Sequence, residues 1–178
     1  MIRLLACVAL ALPEVSIPAD STIVSDEVTF TAGGRIIPGT LTRPRTATGP
    51  ATALLLMAGS GPTDRDWNSP LLQGKNGSAK QLAEALAGQG LVVLRFDKAF
   101  SGKNGGLPLA ELTLDTYRTE AQAALALLRS RPEVDRNRIF IAGHSEGSMH
   151  VTRLALASRR RSAASSSSPD RAGRSRTC

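Results

Sequence analysis

Three short apolar runs, ATALLLMAG at 51–59, LVVLRFD at 91–97 and RIFIAG at 138–143, each stop abruptly at glycine or aspartate. None alternates apolar with polar residues as a strand with one wet face would, and each is too short for a buried helix. They read as strands covered on both faces. Between the first two, Ser78 to Leu86 (SAKQLAEAL) puts Leu82, Leu86 and several alanines on one helical face and ends at Gly88 to Gly90. Between the second and third, Leu114 to Leu128 carries apolar residues at spacings of three and four and is closed by Pro132. Strand, helix, strand, helix, strand implies right-handed crossovers and a parallel sheet flanked by helices. Upstream, Val28 to Pro44 has two extended stretches around Gly33-Gly34, a pair suited to a tight hairpin, so the sheet should be mixed.

The ends of those runs carry the chemistry. Residues 143–147 read GHSEG, directly after the third strand. A glycine on each side of Ser145 lets the backbone reverse sharply into a helix beginning near Glu146, where a side chain would collide with its neighbours. Met149, Leu154 and Leu156 would be the apolar face of that helix. The turn lifts the serine hydroxyl onto an exposed point. Negative charge developing on a substrate carbonyl oxygen could there meet the backbone N–H of Glu146 and the positive end of the helix. The alternative is a serine that only caps a helix after a glycine-rich loop. The loop GSGPTDRDWN at 59–68 leaves the carboxyl end of the first buried strand, the side on which ligands bind in this architecture. There the N–H of Ser60 or Gly61 is a candidate second donor. Asp64 and Asp66 read as turn formers or partners of Arg65, and Asp97 as a turn or capping acid.

With GSGPTDRD at 59–66, RFDKAFSGKN at 95–104 and GHSEG at 143–147 in this order, the chain resembles the α/β-hydrolase superfamily. The likeness is greatest to its dienelactone-hydrolase-like and serine-aminopeptidase-like esterases, whose corresponding runs read GSGPxDRD, RYDKRGxGKS and GHSEG. It extends from about Val28 to Leu156. The resemblance implies a three-layer α/β-hydrolase-type sandwich with a mostly parallel sheet, incomplete on its C-terminal side. It implies Ser145 as the nucleophile of an acyl-enzyme mechanism on ester or amide bonds, with Ser60 and Glu146 giving the oxyanion-hole amides and Gly143 and Gly147 as the elbow glycines. Small-molecule or short-peptide esters or amides would be the substrates, with no cofactor and no metal. The second run departs from the pattern: Lys98-Ala99-Phe100 stands where Lys-Arg-Gly is usual.

A larger departure follows the elbow. The serine needs a general base within about 3 Å, and in this family the acid and then the histidine come later in the chain. After Leu156 there is only Asp170, in low-complexity sequence, and no histidine. His144 adjoins the serine with its side chain leaving the turn in another direction, and His150 lies about a turn and a half along the helix. The expectation is a chain of little or no turnover, with a non-catalytic fragment or pseudoenzyme acting as an interaction module as the alternative.

Length and charge bound the remaining classes. The 178 residues suit one domain with a sizeable core, divided as residues 1–20 (leader), 24–157 (partial hydrolase domain) and 158–178 (Ser/Arg-rich tail, naturally disordered or aberrant sequence). The formal charge is +7, but from Arg159 onward six arginines face one acid, a net +5, so the body is nearly neutral. With one Trp and one Tyr the body also lacks stacking platforms, and no specific nucleic-acid partner is expected; nonspecific polyanion binding by the tail is a second alternative. Cys7 and Cys178 sit at opposite ends, outside any metal-ligand spacing. The apolar stretch Leu4 to Leu12 is too short to span a bilayer and reads as a signal-peptide core, a weak indication of export, or as an upstream strand. Nothing strand-like follows residues 138–142, so that strand should present an open edge through which the chain could self-associate.

Overall fold

A computed structural model describes residues 22–46, 48–106 and 108–166. The leader and the end of the tail lie outside the described residues. Strands β1 (Ile23–Ala32) and β2 (Arg35–Pro44) form the hairpin, with Gly33 and Gly34 at φ 55° and 74°. Two successive left-handed residues are what a tight turn matching the strand twist requires. Strand β3 (Ala51–Met57), helix α1 (Ser78–Gly88), strand β4 (Val92–Phe96), helix α2 (Leu114–Ser130), strand β5 (Val134–Gly143) and helix α3 (Glu146–Ser166) follow. One mixed sheet results, ordered β1-β2-β4-β3-β5. β2 meets β4 antiparallel, and β3 pairs in parallel with β4 on one side and β5 on the other.

That order makes three layers. Successive side chains of a strand point to opposite faces, so β3 sends Ala53, Leu55 and Met57 into a cluster with α2 residues Ala121, Ala124, Leu125 and Leu128. Its Leu54 and Leu56 go the other way, toward Ala79 and Ala83 of α1. β4 divides likewise, with Val92, Leu94 and Phe96 on the α2 side and Val93 on the α1 side. Burial on both faces is why these strands are apolar without alternation. Each fully covered Leu contributes about 1.5–3 kcal/mol.

Three expectations are corrected by the packing. α1 buries the expected alanines, Ala79, Ala83 and Ala87, with Leu86 packed beside them, but Leu82 leaves that face and is 39% exposed. Small residues let the helix lie close on the sheet. β5 is not covered like β3 and β4, because it is the outermost strand among the described residues, and Phe140 is 60% exposed. On α3, Met149 and Leu156 face water, while Gly147, His150 and Leu154 make the buried stripe at spacings of three and four. The helical backbone of α3 also runs on to Ser166, past the point at which the sequence becomes rich in Arg, Ala and Ser. Arg and Ala are favourable helix formers.

A buried ionic cluster ties the hairpin to the loops after β3 and β4. Arg65 donates to Asp97 through its backbone N–H (2.8 Å), Nε (3.1 Å) and Nη2 (2.9 Å), while its Nη1 reaches Glu27 (2.9 Å) and Thr40 (2.7 Å). Asp97 also accepts the Lys103 N–H at 3.0 Å. Asp64 forms a turn, accepting the N–H groups of Asp66 and Asn68 at 2.9 and 2.8 Å. Asp66 pairs with buried Arg95 instead of Arg65, whose guanidinium is already turned inward.

Removing the guanidinium leaves buried Asp97 without its counter-charge, so Arg65→Ala should cost about 3–5 kcal/mol in urea unfolding. Arg65→Lys should recover less than half, since one ammonium cannot span Asp97, Glu27 and Thr40 together. A loss under about 1 kcal/mol for both would contradict this account. A second expectation concerns pH. His150 packs on Tyr117 with ring centroids 5.0 Å apart, and burial holds its pKa below the ordinary 6.5, against an opposing pull from Glu146 and with help from Arg153 and Lys98. Its folded pKa is depressed, so its contribution to stability is complete above about pH 6.5 and is lost as pH falls toward the folded value. The urea midpoint should drop between pH 7.5 and 5.5, and His150→Phe should flatten that slope.

Candidate active site

The site is built by close approach of backbone. Strand β5 ends at Gly143, and the His144 N–H still pairs with Met57 O of β3 at 3.1 Å. The chain then reverses, with the Gly147 N–H on His144 O at 2.9 Å and the Ser148 N–H on Ser145 O at 3.0 Å. A Cβ at Gly143 would stand 2.3 Å from the Gly147 carbonyl carbon, and a Cβ at Gly147 would stand 2.7 Å from both Met57 O and Ala58 O. Neither position admits any side chain. Between them Ser145 is exposed and held at φ 52°, a left-handed conformation that a non-glycine residue seldom adopts.

The loop after β3 runs directly past this serine. A Cβ on Gly59 would lie 3.2 Å from Ser145 Cβ and 3.0 Å from His144 Nδ1. Ser60 follows, exposed, and Glu146 opens α3, so the three expected site residues Ser60, Ser145 and Glu146 come together at the carboxyl ends of β3 and β5. The N–H of a first-turn residue has no partner inside its helix, and the helix end carries partial positive charge. The loop is pinned from below. Thr63 Oγ1 donates to Ser60 O at 2.7 Å, and the Lys98 ammonium donates to Gly61 O. The two peptide carbonyls are thereby fixed, and with them the direction of the Gly61 N–H between them.

The sequence names Lys98 only within Lys98-Ala99-Phe100 and gives it no role, although it directly follows the strand end Arg95-Phe96-Asp97. It is 4% exposed, 5.3 Å from the Tyr117 ring centroid, and burial holds its pKa below the usual lysine range against the pull of Glu146 and Glu120. Burial likewise pushes the Tyr117 hydroxyl up to about 12, with Glu146 and Glu120 adding to the effect. Glu120 itself is fully buried, accepting from Arg35 (2.7 Å), Asn104 (3.2 Å) and the Ala99 N–H (2.9 Å). It had no sequence signal beyond an acid on the inner face of α2.

Both histidines are engaged elsewhere. His144 stacks on Trp67 with centroids 5.0 Å apart and planes at 29°, and His150 faces Tyr117 on the buried side of α3. Among the described residues no side chain is hydrogen-bonded to the Ser145 hydroxyl. No three His, Cys, Asp or Glu side chains among them are grouped as a metal ion would need, and no helix among them is long and apolar enough to cross a membrane.

No protein-family profile matches the chain. Over 132 residues, 73% of the chain, it is 33% identical to Esterase EstD of Thermotoga maritima, and it spans 29% of that esterase's length. Among solved structures it is similar to a dienelactone hydrolase-like promiscuous phosphotriesterase from metagenomic libraries (TM-score 0.59, 22% identity, 76% of this chain and 55% of the other). It is also similar to brefeldin A esterase, a bacterial homologue of human hormone-sensitive lipase (TM-score 0.60, 20% identity, 88% of this chain and 40% of the other). The mixed sheet with helices on both faces is the fold of these proteins over that share of their length. The strand order, the glycine-flanked turn at Ser145 and the likeness to an esterase together identify the fold as part of the α/β-hydrolase fold.

Proposed function

We propose that Ser145 is the nucleophile of an ester- or amide-hydrolysing site that works through an acyl-enzyme, on a small-molecule or short-peptide substrate. The observation that carries this is the placement of Ser145 at φ 52° on the β5–α3 turn, with the Gly59–Ser60 backbone against it. Its Oγ attacks the substrate carbonyl carbon and gives up its proton, and the carbonyl oxygen takes the negative charge. The N–H groups of Ser60 and Glu146 stabilise that oxyanion, aided by the N-terminal end of α3. Collapse of the tetrahedral intermediate expels the protonated leaving group, and water then releases the acyl group. Gly143 and Gly147 are the elbow glycines, required by the backbone clearances.

Proton removal is the weak step in this chain. Its two histidines are turned to Trp67 and Tyr117, so Ser145 retains the poor nucleophilicity of an ordinary hydroxyl. We therefore expect low turnover from the chain alone. A second reading, a non-catalytic interaction module, is favoured by the outer side of β5, which pairs with no strand among the described residues, and by exposed Phe140. In that reading the chain self-associates through this edge.

An added base separates the two readings. Hydrolysis of p-nitrophenyl acetate should be barely Ser145-dependent without additive and should gain a Ser145-dependent component as free imidazole is raised; the difference from S145A isolates it. Absence of any such difference at high imidazole, in a chain shown to be folded, would sink the nucleophile assignment. Sedimentation at several concentrations reads the second proposal, which expects association that Phe140→Lys abolishes.

A further inference from the structure

A cavity of about 590 Å³ lies between the loop after β3 and the loop after β4, with apolar lining from Pro62, Pro70, Leu72 and Phe100 and polar atoms from Asn68 and Lys75. Two features set it apart from an incidental surface hollow. Phe100 is held at φ 65°, where glycine is at ease and an aromatic residue is strained, so its ring is kept there against a backbone cost. The hold is explicit: the Phe100 N–H donates to Asn104 O at 3.1 Å, and the preceding Ala99 N–H donates to buried Glu120 at 2.9 Å. Beside it Leu72 lines the cavity while remaining 73% exposed, and adjacent Leu71 is 77% exposed, so apolar surface is left in water at this point.

One short segment of chain joins the Ser145 region to the cavity lining. Gly59 abuts Ser145, and Pro62, three residues on, forms part of the cavity lining. Three residues span at most about 11 Å. Leu71 Cδ1 comes within 4.0 Å of the Cβ position of Gly61, in the same segment. A substrate carbonyl at Ser145 could thus send an alkyl chain over Ser60 and Gly61 into this space. The lining offers such a chain two prolines, a leucine and an aromatic ring; its one cation, Lys75, stands with the carboxylate of Asp64 in the same lining, so the charges do not select an anion.

We propose that this cavity binds the apolar chain of an ester substrate and that Phe100, by occupying part of it, sets the length of chain accepted. The proposal deepens the reading of Ser145 as nucleophile and rests on it for the identity of the other end of the ligand.

The test uses methyl ketones from 2-butanone to 2-decanone, which need no chemistry, with fluorescence of Trp67, the chain's single tryptophan and the neighbour of Asn68, as the reporter. Binding should tighten about threefold to fourfold per added methylene until the cavity is full. Phe100→Gly and Phe100→Ala should both move the plateau to ketones at least two carbons longer. Gly relieves the backbone and Ala does not, so a shift shared by both reports the ring and a shift in Gly alone would overturn the role given to it. Leu72→Glu should weaken the long ketones at least tenfold, and unchanged binding would remove the cavity as the site. Ketone binding needs no chemistry at Ser145, so this arm stands even if Ser145 proves not to be a nucleophile. In the imidazole-supported assay kcat/KM should rise from p-nitrophenyl acetate to the octanoate, and further in Phe100→Gly. A flat ester series beside intact ketone binding would refute the link to substrate.

Discussion

The first turn of α3 lies against the carbonyl oxygens of Met57 and Ala58 with no room for a single added carbon at Gly147, and Gly143 is as tightly pressed on Gly147 itself. Much else in the molecule follows from that contact. It brings a helix start to the end of β3, so the exposed residue between the two glycines stands beside the loop that leaves β3. Such an approach needs β3 to be held between its neighbours. Its burial from both sides provides that, with Leu55 facing α2 and Leu56 facing α1. A hydroxyl on a rigid point beside a helix N-terminus loses little free energy to reorganisation when charge develops there.

Rigidity of the strand does not by itself order the loops, which have few apolar contacts of their own. Polar side chains do that. Asp97 at the end of β4 gathers Arg65 and the Lys103 N–H, and the same guanidinium reaches Glu27 and Thr40 on the hairpin. Thr63 and Lys98 then fix the carbonyls of Ser60 and Gly61. In a low-dielectric setting such a network is worth keeping only when nearly every donor and acceptor is used, because a half-satisfied buried charge is costly. The hairpin is therefore more than an edge addition to the sheet: through Glu27 and Thr40 it braces the loop that borders Ser145.

Three non-glycine residues hold positive φ among the described residues: Trp67, Phe100 and Ser145. One lies in the loop after each of the parallel strands β3, β4 and β5. Strained backbone persists only where its surroundings over-determine it, and it collects where side chains must be aimed. Trp67 holds the His144 ring by stacking and Phe100 lines a cavity, so the three positions surround one end of the sheet with fixed side chains.

The sequence by itself determined the alternation of strands and helices, the hairpin at Gly33-Gly34, the reversal at Ser145 and the turn-forming role of Asp64. These depend on local chemistry: unbroken apolar runs, paired glycines and short acids next to turns. It also established that the two histidines are poorly placed for Ser145, because helix geometry alone directs His150 away. Tertiary structure decided which apolar residues are inside. Leu82, Met149 and Leu156 face water while Ala79, Ala83 and His150 are covered, since the closest fit of helix to sheet selects small or shape-matched residues over the most apolar ones. It decided that Arg95 takes Asp66 and Arg65 takes Asp97, and that Lys98 comes under Gly61. Those partners lie some thirty residues apart along the chain. No local pattern encodes such pairings, because they exist only once β3 and β4 lie side by side.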